Sequence, residues 1–279
     1  MQHAVILRIL GILLILFSFT MIPPLVISLI YNDGSLIPFI LAFFIILSIG
    51  LLLWLPVKNN KNDFSDGIHS LLYKSDQIKP EDDQWGSISA WAWGMSRVMD
   101  YLEKETLIDE KKVILFGHSR LGKTSLWAGA LDQRFSMVIS NNSGCGGAAL
   151  SRRRFGEKVS DITKNWSHWF AKNFQKYSEN ESSLPIDQHM LISLIAPRPV
   201  YVASASKDSW ADPRGEFISA KQASKVYKLY GMQGIELYDY PKVNTPIHQR
   251  IGYHLRDGKH DVTNYDWIQY IKFANMHIN

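Results

Sequence analysis

Two long apolar runs open the chain, and a mixed polar and apolar pattern follows them. Residues 4–30 are apolar apart from a few hydroxyls, interrupted by Arg8 and the pair Pro23-Pro24. Tyr31-Asn32-Asp33-Gly34 reads as a turn, and residues 36–55 form a second apolar run without charge. Each run is long enough to cross about 30 Å of hydrocarbon as a helix. A helix is the required form, because lipid cannot satisfy an open backbone. The pattern predicts a two-helix transmembrane hairpin over 1–60, inserted in a lipid bilayer through residues 4–56. A cleaved leader fits less well, because the first run is too long and no small-x-small site precedes the second. Lys58 and Lys61 follow the second run, whereas the connecting loop carries only Asp33. The positive-inside bias then places both ends of the hairpin, and the rest of the chain, on the cytoplasmic side. Arg8, near the end of the first run, snorkels to the interface.

After a polar stretch at 57–66 the periodicities change. Ile88, Trp91, Met95, Val98 and Leu102 recur at helical spacing within 84–103. Residues 112–116 (KVILF) are a β-rich run that stops at Gly117, and 119–130 read as a helix. Strands are expected at 135–139, 199–205 (PVYVASA) and 235–240, with helices at 215–230 and 266–277. Strands alternating with helices argue for a parallel α/β sheet. The domain division expected is a hairpin over 1–60 and an α/β domain over 61–279.

Composition adds little to this. Hydrophobic residues are 46% and charged residues 20% of 279, enough for a sizeable core. The net charge of +4 is mild, and no Lys/Arg run is long enough to suggest nucleic acid. Cys145 is the single cysteine, which excludes an internal disulfide. Nine Trp residues are unusual, and such rings stack on sugars as well as filling cores.

Candidate chemistry concentrates in KVILFGHSRLGKTSLWAGAL, a strand, a turn and a helix. It supports two rival readings. One is a nucleophile elbow, in which a serine on a sharp turn is exposed above the sheet beside a helix N-terminus. The spacing Gly117-His118-Ser119-Arg120-Leu121-Gly122 is one residue longer than G-x-S-x-G. The other is a phosphate loop, since Gly117 to Thr124 match G-x-x-x-x-G-K-[ST] letter for letter. The remaining sequence favours the elbow. A serine hydrolase needs an acid after a later strand and a histidine near the end. Asp208 follows PVYVASA, with Asp212 as second choice, and His254 and His260 both lie in GYHLRDGKHD. A phosphate-loop protein would need an acid directly at a strand end, but Ser206-Lys207 intervene.

GHSRLGK, NSGCGGAALSRRRFGE, LPIDQHMLISLIAPRPVYVAS, DSWADPRGEF and GYHLRDGKHDVTNYDW together resemble bacterial glucuronoyl esterases, carbohydrate esterase family fifteen. The resemblance runs from about residue 63 to 279, and the family's elbow, G-x-S-R-x-G-K, accounts for the longer spacing. It implies a serine carboxylic-ester hydrolase acting on glucuronic-acid esters of xylan with lignin alcohols, without cofactor or metal. It implies Ser119 as nucleophile, His260 rather than His254 as base, and Asp208 as the acid that orients it. Arg120 resembles the family's oxyanion support, and Lys123, Glu157 and Trp210 resemble residues that hold the glucuronate ring. Some members carry a Glu where this chain has Asn142, and an amide cannot balance imidazolium charge, which leaves Asp208. The first sixty residues, through RILGILLILFSFTMIPP and LIPFILAF, are similar to the first hairpin of Trk-type potassium uptake proteins. The selectivity-filter loops of that family have no counterpart here, so origin rather than transport is implied.

A complete α/β-hydrolase has several strands before its elbow strand, whereas residues 67–111 hold one clear helix. The fold expected is therefore a partial α/β-hydrolase, its C-terminal half with an incomplete sheet, behind a membrane hairpin of other ancestry. The elbow strand becomes an exposed edge, and low stability with little turnover is expected of the isolated chain. The alternatives carried are a phosphate-loop nucleotide-binding protein and a membrane protein derived from a potassium transporter.

Overall fold

The structure is a computed structural model that describes residues 2–57, 67–236 and 239–278. The polar stretch at 58–66 lies outside them. The chain divides into two compact units, residues 1–70 and 71–279.

In the first unit the two apolar runs are helical. α1 (Gln2–Ser18) and α2 (Ile22–Tyr31) are separated by a short 3₁₀ turn at Phe19–Met21, and α3 is Leu36–Trp54. Pro23 and Pro24 explain the interruption. They lack N–H groups, so they are tolerated in the first turn of α2 but not inside a continuous helix. Asn32 adopts a left-handed conformation that ends α2, and Asp33 Oδ1 accepts from Ser28 Oγ (2.5 Å) and Ser35 N–H (2.9 Å), closing the turn. α1 and α3 meet at Gly11 and Gly50: a Cβ on Gly11 would lie 2.9 Å from the Gly50 carbonyl. Segments Ile9–Tyr31 and Leu36–Trp54 are long and apolar enough to cross a membrane.

The second unit is an α/β domain on a five-stranded sheet of order β1-β2-β3-β5-β4. Its strands are β1 (Ile114–His118), β2 (Met137–Asn141), β3 (Val200–Ala205), β4 (Ile247–His248) and β5 (Ile251–Arg256). β1, β2, β3 and β5 are parallel, and β4 is a short antiparallel edge. The helices are α4 (Ser87–Leu102), α5 (Arg120–Leu131), α6 (Val159–Asn165), α7 (Gln188–Ser193), α8 (Pro213–Leu229) and α9 (Asn264–His277). Successive side chains of β2 and β3 enter two different cores. Val138, Val200 and Val202 join Leu126, Phe217 and Ala220 from α5 and α8. Met137, Ile139, Tyr201 and Ala203 join Tyr270 and Phe273 from α9. Burial on both faces is why these strands read as unbroken apolar runs.

β1 has a neighbour on one side only among the described residues, the exposed edge expected for the elbow strand. Two expectations fail. β1 does not stop at Gly117 but continues through His118, because the turn is made by the serine itself. The strand expected at 235–240 is not formed at 235, 236, 239 or 240, and Leu237 and Tyr238 lie outside the described residues. Its place beside β3 is taken by β5, whose polar His254 and Arg256 disguise it in sequence.

Candidate functional site

Three loops meet at the C-terminal ends of β1, β3 and β5. The first is the turn at Ser119. β1 ends at His118 and α5 begins at Arg120, so one residue reverses the chain, with φ of 59° and ψ of −127°. A non-glycine residue there is strained and is held only by its surroundings. Ser119 N–H donates to the Asn141 carbonyl at 2.9 Å, and the Ser119 carbonyl accepts from the N–H groups of Gly122 and Lys123. Gly117 is dictated by closeness, since a Cβ there would sit 1.9 Å from the Leu121 carbonyl oxygen. This geometry removes the phosphate-loop alternative. A phosphate is cradled by successive N–H groups of an open loop, and here no such loop exists between strand and helix. Lys123, which would reach the phosphate, is instead 3% exposed and bonded to protein.

The second loop follows β3 and carries Asp208. Its Oδ2 accepts from His260 Nδ1 at 2.6 Å and from Asn142 Nδ2 at 2.8 Å. Burial pushes the Asp208 carboxyl upward, but the bonds from His260 and Asn142 outweigh it and hold the group below its ordinary range. Asp212 is occupied elsewhere. It pairs with Arg153 Nε at 2.8 Å and caps α8 through Gly215 N–H at 3.0 Å.

The third loop follows β5 and carries His260, whose side chain is 41% exposed. The bond to Asp208 raises its imidazole above the ordinary value, against the opposing effect of burial. Its ring lies 4.5 Å from that of His118, the residue before Ser119. Burial lowers the His118 pKa, opposite in direction to the shift at His260. His254 does not reach the site: it is fully buried, bonded to Asp266 Oδ1 (2.8 Å) and Tyr201 OH (3.0 Å). The structure thus brings His260 to Asp208, and His118 beside it. Among the described residues no hydrogen bond joins Ser119 Oγ to His260.

Arg120 is exposed at the first position of α5. Lys123 and Glu157 are brought together as a buried ion pair of 2.7 Å, and Lys123 Nζ also donates to the carbonyls of Ser143 (2.6 Å) and Cys145 (2.5 Å). Its three protons are therefore all engaged within the protein. Trp210 is 47% exposed, and its backbone carbonyl accepts from Glu157 N–H at 2.8 Å. A cavity of about 460 Å³ is lined by Lys123 with Trp85, Ile88, Trp127, Phe170 and Phe174; its lining lacks Ser119, Asp208 and His260.

Glu216 was not singled out from sequence. It is fully buried, and its Oε1 accepts from the N–H groups of Ser143 (2.7 Å) and Gly144 (3.0 Å), while Oε2 accepts from Ser204 Oγ (2.6 Å). Burial pushes its carboxyl up to about 7. It fixes the turn whose carbonyls hold Lys123. A lone Glu on a helix carries no sequence signal for this, because its donors come from distant segments.

Residues 58–231 match the family model described as glucuronyl esterase, fungi. A carbohydrate esterase of an unknown prokaryotic organism is 58% identical over 214 residues, covering 77% of this chain and 50% of that protein. A 4-O-methyl-glucuronoyl methylesterase of Podospora anserina is 34% identical, covering 58% of this chain and 36% of its own. The solved glucuronoyl esterase of Solibacter usitatus superposes with a TM-score of 0.74 at 50% identity, over 76% of this chain and 54% of that one. The chain thus spans about half the length, or less, of the curated relatives it matches.

Proposed function

The chain belongs to the glucuronyl esterase family, and from that premise we propose that it is a serine carboxylic-ester hydrolase acting on glucuronate esters. The observation that carries this reading is the 2.6 Å bond between His260 Nδ1 and Asp208 Oδ2, at the strand ends that also present the Ser119 turn. In this reading Ser119 attacks the ester carbonyl. A serine hydroxyl is a weak nucleophile until a base removes its proton. His260 Nε2 is that base, and Asp208 holds the Nδ1–H tautomer and balances the imidazolium that forms. Asn142 steadies Asp208 but carries no charge of its own. Arg120 and the N–H groups at the start of α5 stabilise the oxyanion. Trp210 offers its ring face to the sugar, and the Lys123–Glu157 pair forms the polar wall behind it. The substrate class follows from the relatives, two of which are named for glucuronoyl esters. No cofactor enters this mechanism.

The apolar hairpin is read as a bilayer anchor. Its likeness to the first hairpin of Trk-type proteins concerns ancestry, and the Lys58 and Lys61 bias places the enzyme domain on the cytoplasmic side.

The test is hydrolysis of a benzyl glucuronate ester by the purified full chain in detergent. Turnover that falls to background in Ser119→Ala is the expected result. Magnesium-dependent ATP binding that disappears in Lys123→Ala, with no Ser119-dependent turnover, would overturn the reading.

A further inference from the structure

The loop bearing His260 is short, exposed and glycine-containing, yet it must hold an imidazole within a fraction of an ångström. What holds it is the last residue of β5. Arg256 is 2% exposed, and its guanidinium lies inside the loop it introduces. Nη2 donates to the carbonyls of Lys259 (2.7 Å) and Asp261 (2.6 Å), the residues on either side of His260, and Nη1 donates to the carbonyl of Asp257 (3.2 Å). Three carbonyls of one five-residue loop therefore converge on a single planar cation. The guanidinium also packs close on Gly258: a Cβ there, at φ of +125°, would lie 2.7 Å from Arg256 Nη1.

The cation is anchored from below. Arg256 Nε pairs with both carboxylate oxygens of Asp266, at 2.9 and 3.1 Å. Asp266 is fully buried at the start of α9 and also accepts from His254 Nε2 (2.8 Å), Thr263 N–H (2.6 Å) and Thr263 Oγ1 (2.7 Å). The same cluster reaches the opposite side of His260. Asn141 Nδ2 donates to Tyr270 OH (2.6 Å) and, at 3.4 Å, to Asp266, while Asn141 Oδ1 accepts from His118 Nδ1 (2.6 Å), whose ring lies against His260. A buried ion pair must offset its desolvation with good geometry and further hydrogen bonds, and its presence is weak evidence for stability. Here its outward face serves the backbone of the loop that carries His260.

The geometry points to Arg256 as the positioning residue for His260, acting through the Lys259 and Asp261 carbonyls and braced by Asp266. Its importance for turnover rests on the esterase reading, in which His260 is the base; its effect on the loop does not. Lysine cannot replace it, because an ammonium has no planar fork to serve three carbonyls and a carboxylate at once.

The experiment follows the His260 Cε1–Hε1 resonance by NMR in the full chain, labelled with ¹³C-histidine and assigned with His260→Gln. Around that ring stand Asp208 and His118, with Glu216 and Lys123 further off. Asp208 holds the wild-type imidazole above its ordinary pKa. In Arg256→Lys, and in the charge-neutral pair Arg256→Gln/Asp266→Asn, the freed loop lets His260 leave Asp208, and that upward displacement is lost. kcat for the ester falls about 10²-fold, the cost of small misplacements near reacting atoms, with KM nearly unchanged. Folded variants in which His260 titrates as in wild type overturn the proposal. Should the variants not fold, the wild type decides: Arg256 Nη protons that exchange at the rate of a free guanidinium overturn it equally, and strong protection supports it. Absent turnover with a displaced titration leaves the positioning role standing and removes the esterase reading instead.

Discussion

Asp208 Oδ2 is one atom on which two donors converge, His260 from the loop after β5 and Asn142 from the residue after β2. The pair has a defined pH window. The Asp208 carboxyl is depressed, so it adds stability above the unfolded carboxylate pKa and loses it as pH falls through its folded value. The His260 imidazole is raised, so it adds stability below the unfolded imidazole pKa and loses it as pH rises through its folded value. The bond is strongest between the two folded values. A general base must be neutral, so the acidic limb of kcat/KM should fall at the raised His260 pKa. In Asp208→Asn that limb should move to lower pH, and the plateau should drop about 10³–10⁴-fold. A pH–rate profile of both proteins checks this, and an unmoved limb would mean that another carboxylate governs the histidine. Asp208 and His260 were legible in sequence because acid and base follow the serine in a fixed order. Order alone left Asp212 and His254 open; the family resemblance ranked them second, and in three dimensions each proves committed to a different partner. Arg256 and Asp266 were not legible, because nine intervening residues and a change of element hide their pairing.

The turn at Ser119 shows how closely an element boundary can be specified. A strand of five residues, one strained serine and a helix of twelve meet with no linker between them. Gly117→Ala would drive a Cβ to 1.9 Å of the Leu121 carbonyl, and that neighbour is backbone, not a movable side chain. Strand or helix must shift, at a cost of about 3 kcal/mol or more, the range reserved for overpacking and backbone conflict. Thermal unfolding should show a large fall in Tm together with loss of Ser119-dependent turnover, and a variant as stable as wild type would show that the turn is less tight than drawn. The strands β2 and β3 were readable because both faces are buried and their sequences run apolar. β5 was not, since Gly252, His254 and Arg256 break that pattern: Gly252 admits the Tyr201 ring, and the other two are hydrogen-bonded to Asp266. In α2 the Pro23-Pro24 pair marked the restart of the first apolar helix, as proline in a first turn does.

At the scale of the molecule the exposed elbow strand is the feature with most consequence. β1 pairs with β2 along one side, and half of its N–H and C=O groups point the other way. Phe116 on this strand is 36% exposed although it packs on Trp267 (4.9 Å) and Tyr270 (5.6 Å) of α9. Beside it Trp267, Ile268 and Ile271 are exposed on α9, so an open edge and an apolar patch adjoin. Natural edges are blunted by charge, proline or cover, and an uncovered apolar edge recruits another chain. The prokaryotic and Podospora anserina relatives are two to nearly three times as long as the segment they share with this chain, so each contains sequence outside that segment. The expected outcome is that residues 71–279, and the full chain in detergent, self-associate with rising concentration and unfold at modest temperature. Phe116→Lys puts a charge on the edge and should lower the weight-average mass measured by sedimentation equilibrium, while the thermal transition shows that the fold is kept. A wild-type protein that sediments as a monomer over a hundredfold range of concentration would sink this expectation, because an edge with that much apolar surface could stay single only if something in the chain already covers it.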